Sequence, residues 1–166
     1  MATAKWKLAK GKTWRQKLTQ EHPNHGKVVP VPPRMRKRFG TGTMLIPRPI
    51  DVDAIMRSVR KGKLITQSRI REWLARAAGA DSACPLTTGM FIRIAAEAAN
   101  EDLHAGKKRV TPYWRTIKDD GGLNDKFPGG AKAQAASLRR EGFTIRPAKG
   151  AGAPKVSDFE KSLVSC

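Results

Sequence analysis

Few residues of this chain have the type and spacing for chemistry. Cys84, in "SACPLTTG", stands just before a predicted helix N-terminus. The helix dipole and free N–H groups there can depress a thiol pKa and make a nucleophile. A lone cysteine among apolar residues is more often an inert small hydrophobe. His22 and His25 form a close pair with no second pair of ligands, and Cys84 and Cys166 lie far apart with no CxxC spacing. Neither a metal site, a bound cofactor nor a disulfide framework is expected. The larger chemical signal is electrostatic. Thirty-three Lys and Arg against fourteen Asp and Glu leave a formal charge of +19 on 166 residues. Such an excess points to a polyanionic partner, DNA first and RNA second.

The elements that must carry this charge follow from apolar spacing. Glu21 is the only acid before Asp51, so residues 1–43 read as a basic N-terminal arm. Within it Thr13 caps a short helix, "WRQKLTQE", while "VVPVPPRMRKRFGTG" is expected to be extended. Trp6 and Trp14 either pin the arm to the domain or stack on bases, with pinning favoured. A domain of residues 44–145 begins with a helix capped by Asp51 that carries Val52, Ile55, Met56 and Val59 inward. A short extended link, "GKLIT", precedes a helix capped by Thr66 that turns Ile70, Trp73, Leu74 and Ala77 to the core. After Gly79 and a polar turn, Leu86, Met90, Phe91, Ile94, Ala95 and Ala98 keep helical spacing in a third helix. Two helices joined by a short turn, the second opening with Pro85, Thr87 and Thr88, form a helix-turn-helix candidate. "RVTPYWRTIKD" reads as a strand with a tight bend, and "GGAKAQAASLRREG" as a helix closed by Gly142. Residues 146–166 are expected to form a basic hairpin or tail ending in a helical turn. The fold class is thus mainly α with a small β wing, a winged helix-turn-helix-like single domain. No apolar run approaches the roughly 18 residues of a membrane span and no signal-peptide core is present, so a soluble, cytoplasmic protein without a membrane partner is expected. No heptad pattern suggests a coiled-coil dimer.

From about Ile50 to Gly142 the chain resembles the DNA-binding domain of the methylguanine-DNA methyltransferases and their alkyltransferase-like relatives. The Gly-Lys pair, strand and helix of "GKLITQSRIREWLA" keep the family's order. The more specific stretch is "PYWRTIKDDGGLNDKFPGG" followed by a helix ending in Glu141 and Gly142, where the family has Pro-Cys-His-Arg, two hydrophobic residues, a glycine turn, an aromatic, Gly-Gly and a helix ending in Glu-Gly. Tyr113 stands at the position of the reactive cysteine and Trp114 at that of its histidine. A phenol with a pKa near 10 and no activating base is a poor alkyl acceptor. The resemblance therefore implies a protein without transferase activity that binds modified or distorted bases in DNA. Its base pocket would comprise Pro112, Tyr113, Trp114, Arg115, Phe127, Gly129 and Glu141, with the Tyr113 and Trp114 rings either walling an extruded base or filling a closed pocket. Gln67, beside Ser68, takes the place of the family's phosphate-rotating tyrosine. The arginine that fills the vacated base stack falls on Leu86 or Phe91, and an apolar wedge can hold a base step open. Thr87, Thr88, Gly89 and Arg93 would lie nearest the groove, and Lys107, Lys108 and Arg109 would join the arm in contacting phosphates. Glu97, Glu101 and Asp102 would point away from DNA. The alternative function is general nucleic-acid packaging or RNA association on the same scaffold.

Overall fold

A computed structural model describes residues 8–165. Trp6 and Cys166 lie outside the described residues. Helix α1 spans Trp14–Thr19 and opens with the expected Thr13, whose hydroxyl accepts from the Gln16 N–H while the Gln16 side chain accepts from the Thr13 N–H. This capping box satisfies two N-terminal donors reciprocally. The segment after it is not a free arm. Leu18 is 1% exposed, and strand β1, Val28–Pro30, pairs antiparallel with β2, Thr43–Leu45. Between them, a 3-10 turn at Pro33–Met35 leads into α2, Arg36–Phe39, where an extended chain was expected. Pro33 starts the turn because its missing N–H costs nothing at a helix start. The boundary expected at residue 44 therefore falls inside a sheet.

Helix α3, Pro49–Arg57, begins at Pro49 rather than after an Asp51 cap, and buries Val52 and Met56. Strand β3, Ile65–Thr66, runs directly into α4, Gln67–Ala78, with the Thr66 hydroxyl capping the Arg69 N–H. Ile70, Leu74 and Ala75 face the core, whereas Ala77, expected inside, is exposed. Gly79 closes α4 in the left-handed region at φ 67°. Strand β4, Ser82–Ala83, adds to β2 in parallel, and α5, Pro85–His104, follows at once.

The longest helix is α5, and it forms the axis of the larger core. Phe91, Ile92, Ile94, Ala95, Ala96, Ala98 and Ala99 pack against α1, α3 and α4. Two residues of its expected inner stripe lie outside instead: Leu86 is 67% exposed and Met90 47%. Past α5 the chain makes a 3-10 turn at Tyr113–Arg115, where a bent strand was expected, and enters β5, Thr116–Ile117, parallel to β3. Helix α6, Gly130–Arg140, covers a second, smaller core of Leu64, Ile117, Leu123, Ala135, Leu138 and Val156. The C-terminal hairpin pairs β6, Ile145–Arg146, with β7, Lys155–Val156, and a 3-10 turn at Phe159–Ser162 ends the fold. No helix among the described residues is long and apolar enough to cross a membrane.

Candidate nucleic-acid interface

The turn carrying Tyr113 is held by buried polar contacts on both sides. Thr111 donates its hydroxyl to Asp53 at 2.6 Å, in the core. Gln134, 1% exposed, donates to the Trp114 and Thr116 carbonyls at 3.1 and 2.9 Å and accepts from the Asn124 N–H at 2.8 Å. Arg115 donates from Nε and Nη2 to Glu141 at 2.9 and 2.6 Å, and from Nη1 to the Val59 carbonyl at 2.6 Å. The Trp114 Nε1–H donates to the same carboxylate at 3.0 Å. Burial works to raise the Glu141 pKa, but these donors outweigh it and hold the carboxyl below its ordinary range. Glu141 therefore anchors the turn.

The rings around Tyr113 are packed together. Tyr113 is 8% exposed, and its ring meets Trp114 and Phe127 edge-on at 5.4 and 5.5 Å. Phe127 is 3% exposed, and Trp114 packs against both hydrophobic cores. A ring so enclosed offers no free face to a base, so Tyr113 does not wall an extruded base in this arrangement, while Trp114 is half-buried. Burial, and secondarily the charge of Glu97, push the phenol above its ordinary pKa. A neutral, desolvated phenol is a still weaker nucleophile. Gly129 caps α6 in the left-handed region at φ 75°, where a Cβ would stand 2.6 Å from that of Ala133. Its role here is the tight turn into α6.

Open space adjoins the first turns of α5. A cleft of about 440 Å³ between the first turns of α5 and residues 124–126 is lined by Gln67, Gly89, Arg93, Lys118, Asp125 and Lys126. Leu86 and Met90, one helical turn apart, stand at its edge. The two residues considered for the stack-filling position are thereby separated: Leu86 projects, while Phe91 is 5% exposed and lies under the His25 ring at 5.1 Å. His25 is half-buried. Its burial, followed by the neighbouring His22, lowers its pKa.

Other expected contacts are turned elsewhere. Thr88 is 1% exposed and its hydroxyl donates to the Cys84 carbonyl at 2.7 Å, while Thr87 donates to the Cys84 sulfur at 3.2 Å. Ser68 donates its N–H to Asp119 at 2.9 Å and its hydroxyl to the same carboxylate. This carboxylate caps α4 at the place where a phosphate was expected. Lys107, Lys108 and Arg109 follow the C-terminus of α5, roughly 30 Å along the helix from Leu86 at 1.5 Å per residue, and Lys107 pairs with Asp102 at 3.4 Å. They do not join the cleft. Glu101 and Asp102 lie at that same far end and face α1, where they accept from the Trp14 and Arg15 N–H groups and the Arg15 guanidinium.

Sequence reasoning missed Met90, Lys118, Lys126, Asp119 and Gln134. Only Gln134 carried a signal, as a polar residue on the apolar stripe Ala131–Ala135–Leu138 of α6. No protein-family model and no curated protein matches the chain. Among solved structures it is similar to S. pombe Atl1 in complex with damaged DNA containing O6-carboxymethylguanine, at 18% identity and a TM-score of 0.48, over 71% of this chain and 94% of that one.

Proposed function

We propose that this chain is a DNA-binding protein that engages duplex DNA with the N-terminal half of α5, in the manner of a winged helix-turn-helix, and responds to alkylated or distorted bases without transferring the alkyl group. The observation that carries this reading is the cationic cleft beside α5 with Leu86 and Met90 exposed at its edge. Large apolar side chains left in water on a helix otherwise packed into the core are explained by a partner that covers them. Inserted at a base step, they act as a wedge, and the cleft, within the roughly 300–1,000 Å³ of ligand pockets, receives what the wedge displaces. Gln67 and Arg93 donate to phosphate or base edges there. The order of residues from Pro112 to Glu141, with tyrosine in place of cysteine, supports binding without chemistry.

The test is competition between plain duplex and duplex containing an O6-alkylguanine at matched salt. Tighter binding of the modified duplex is expected, and Leu86→Ala should reduce that preference while changing stability by less than about 0.5 kcal/mol. Equal affinity for the two duplexes removes the damage-sensing part and favours general nucleic-acid binding, a reading that the enclosed Tyr113 ring supports. Intact mass after incubation with alkylated oligonucleotide should be unchanged. An added alkyl group mapped to Cys84 overturns the non-enzymatic reading.

A further inference from the structure

Beside the α5 cleft, further cations are joined by a chain of contacts. At one end the guanidiniums of Arg38 and Arg71 lie 5.3 and 6.0 Å from the centroid of the Phe39 ring, which fastens the basic turn α2 to α4. One turn back along α4, Arg71 donates to the Ser68 hydroxyl at 2.8 Å, and Ser68 in turn holds Asp119. The next residue back, Lys118, lines both the α5 cleft and a larger recess of about 820 Å³ beneath the C-terminal hairpin. The hairpin adds Arg146, Lys149 and Lys155, with no acid from Phe143 to Val156.

Two of the acids along this line, Asp119 and Asp120, are engaged, while Asp125 lines the α5 cleft. Asp119 caps α4, and Asp120 accepts from the Gly122 N–H at 2.9 Å and pairs with Lys155 at 3.3 Å. Asp158 and Glu160 also line the recess, so its interior is of mixed charge and the cationic excess lies on Lys118 and the hairpin edge. That edge is firmly rooted. Val156 is 2% exposed and donates its N–H to the Gly121 carbonyl at 3.0 Å, and the Leu123 N–H donates to the Pro154 carbonyl at 2.9 Å. Its tip, "AKGAGA", carries small side chains around Lys149, with open space about Gly150, so another backbone can come close.

We infer that this band, running from α2 across the N-terminus of α4 and Lys118 to the β6–β7 hairpin, is a track for the phosphate backbone of duplex DNA flanking the part that α5 contacts. The inference rests on the DNA-binding reading and extends its footprint to two elements that reading does not use. Charges on a pre-rooted hairpin and a ring-fastened turn lose little freedom on binding, so each phosphate contact contributes counterion release at small ordering cost.

Duplex affinity measured across a salt series tests it with three charge-matched double variants. Arg146→Gln/Lys149→Gln at the hairpin and Lys37→Gln/Arg38→Gln at α2 should each make the log–log salt slope shallower by about 2, following roughly 0.9 per phosphate. Lys107→Gln/Lys108→Gln, at the far end of α5, should leave the slope unchanged. Thermal melts of the free variants confirm folding. Equal slope losses in all three variants, or none at the hairpin and α2, overturn the band. An equal hairpin effect on single-stranded RNA also overturns it as a duplex track. The underlying reading fails separately, if the wild-type chain shows no duplex binding in the same titration.

Discussion

At the residue scale, the most informative group is the enclosed phenol of Tyr113. The chain has one tyrosine, so ultraviolet titration reads this phenol alone. Its ionisation midpoint should lie above the ordinary value of about 10, because burial and Glu97 both disfavour the phenolate. The sign follows from the raised folded pKa: stability from the neutral ring is complete below the unfolded pKa and is lost as pH rises through the folded one. A midpoint below the ordinary value would mean an activated phenol and would reopen alkyl transfer. Glu141 titrates in the opposite sense. Its folded pKa is depressed, so its contribution is present above about pH 4.3 and disappears as pH falls through the folded value. With side chains 14% and 7% exposed, the Arg115–Glu141 pair is nearly buried. Glu141→Ala, which strands the guanidinium, should cost about 3–5 kcal/mol in denaturant unfolding. Glu141→Gln should flatten the acid limb of the stability curve. The resemblance singled out both residues, but spacing could not reveal that the glutamate is taken up by Arg115 and Trp114.

At the element scale, the N-terminal segment departs furthest from expectation. Charge described residues 1–43 as an arm, and of its docking only the pinning by Trp14, which packs against the larger core, was legible. The α1 helix has its own cap, but it is held in place by Glu101, a residue of α5 far away in sequence, and by burial of Leu18. Leu18→Ala should therefore cost about 2–5 kcal/mol, the loss of a core leucine, when measured by denaturant melts. A shift under about 0.5 kcal/mol would return the segment to an independent arm. The helix α5 shows the converse case. Periodicity found the helix, yet placed Leu86 and Met90 inside, because an apolar side chain at a core-compatible position has the same spacing whether a partner helix or solvent faces it. The α1 helix docks near the opposite end of α5, on Glu101 and Asp102.

At the scale of the whole molecule, a formal charge of +19 sets two opposing salt responses. Self-repulsion destabilises the free protein, and screening should raise its Tm as NaCl increases from about 0.05 to 0.5 M. Over the same range duplex affinity should fall steeply as counterion release loses its advantage. A free-protein Tm that fell with salt would indicate that specific ion pairs such as Arg15–Asp102 dominate over net repulsion.

The sequence by itself determined the charge, the helices with strong apolar periodicity, and the caps at Thr13, Thr66 and Gly79. All of these are properties of composition or of residues close together in the chain. Tertiary structure alone decided that Tyr113 is enclosed, that Leu86 projects while Phe91 is buried, that Asp119 caps α4, and that Lys118 shares a recess with the hairpin cations. Each of those depends on which distant element covers a side chain, and burial by a distant partner leaves no local pattern to read.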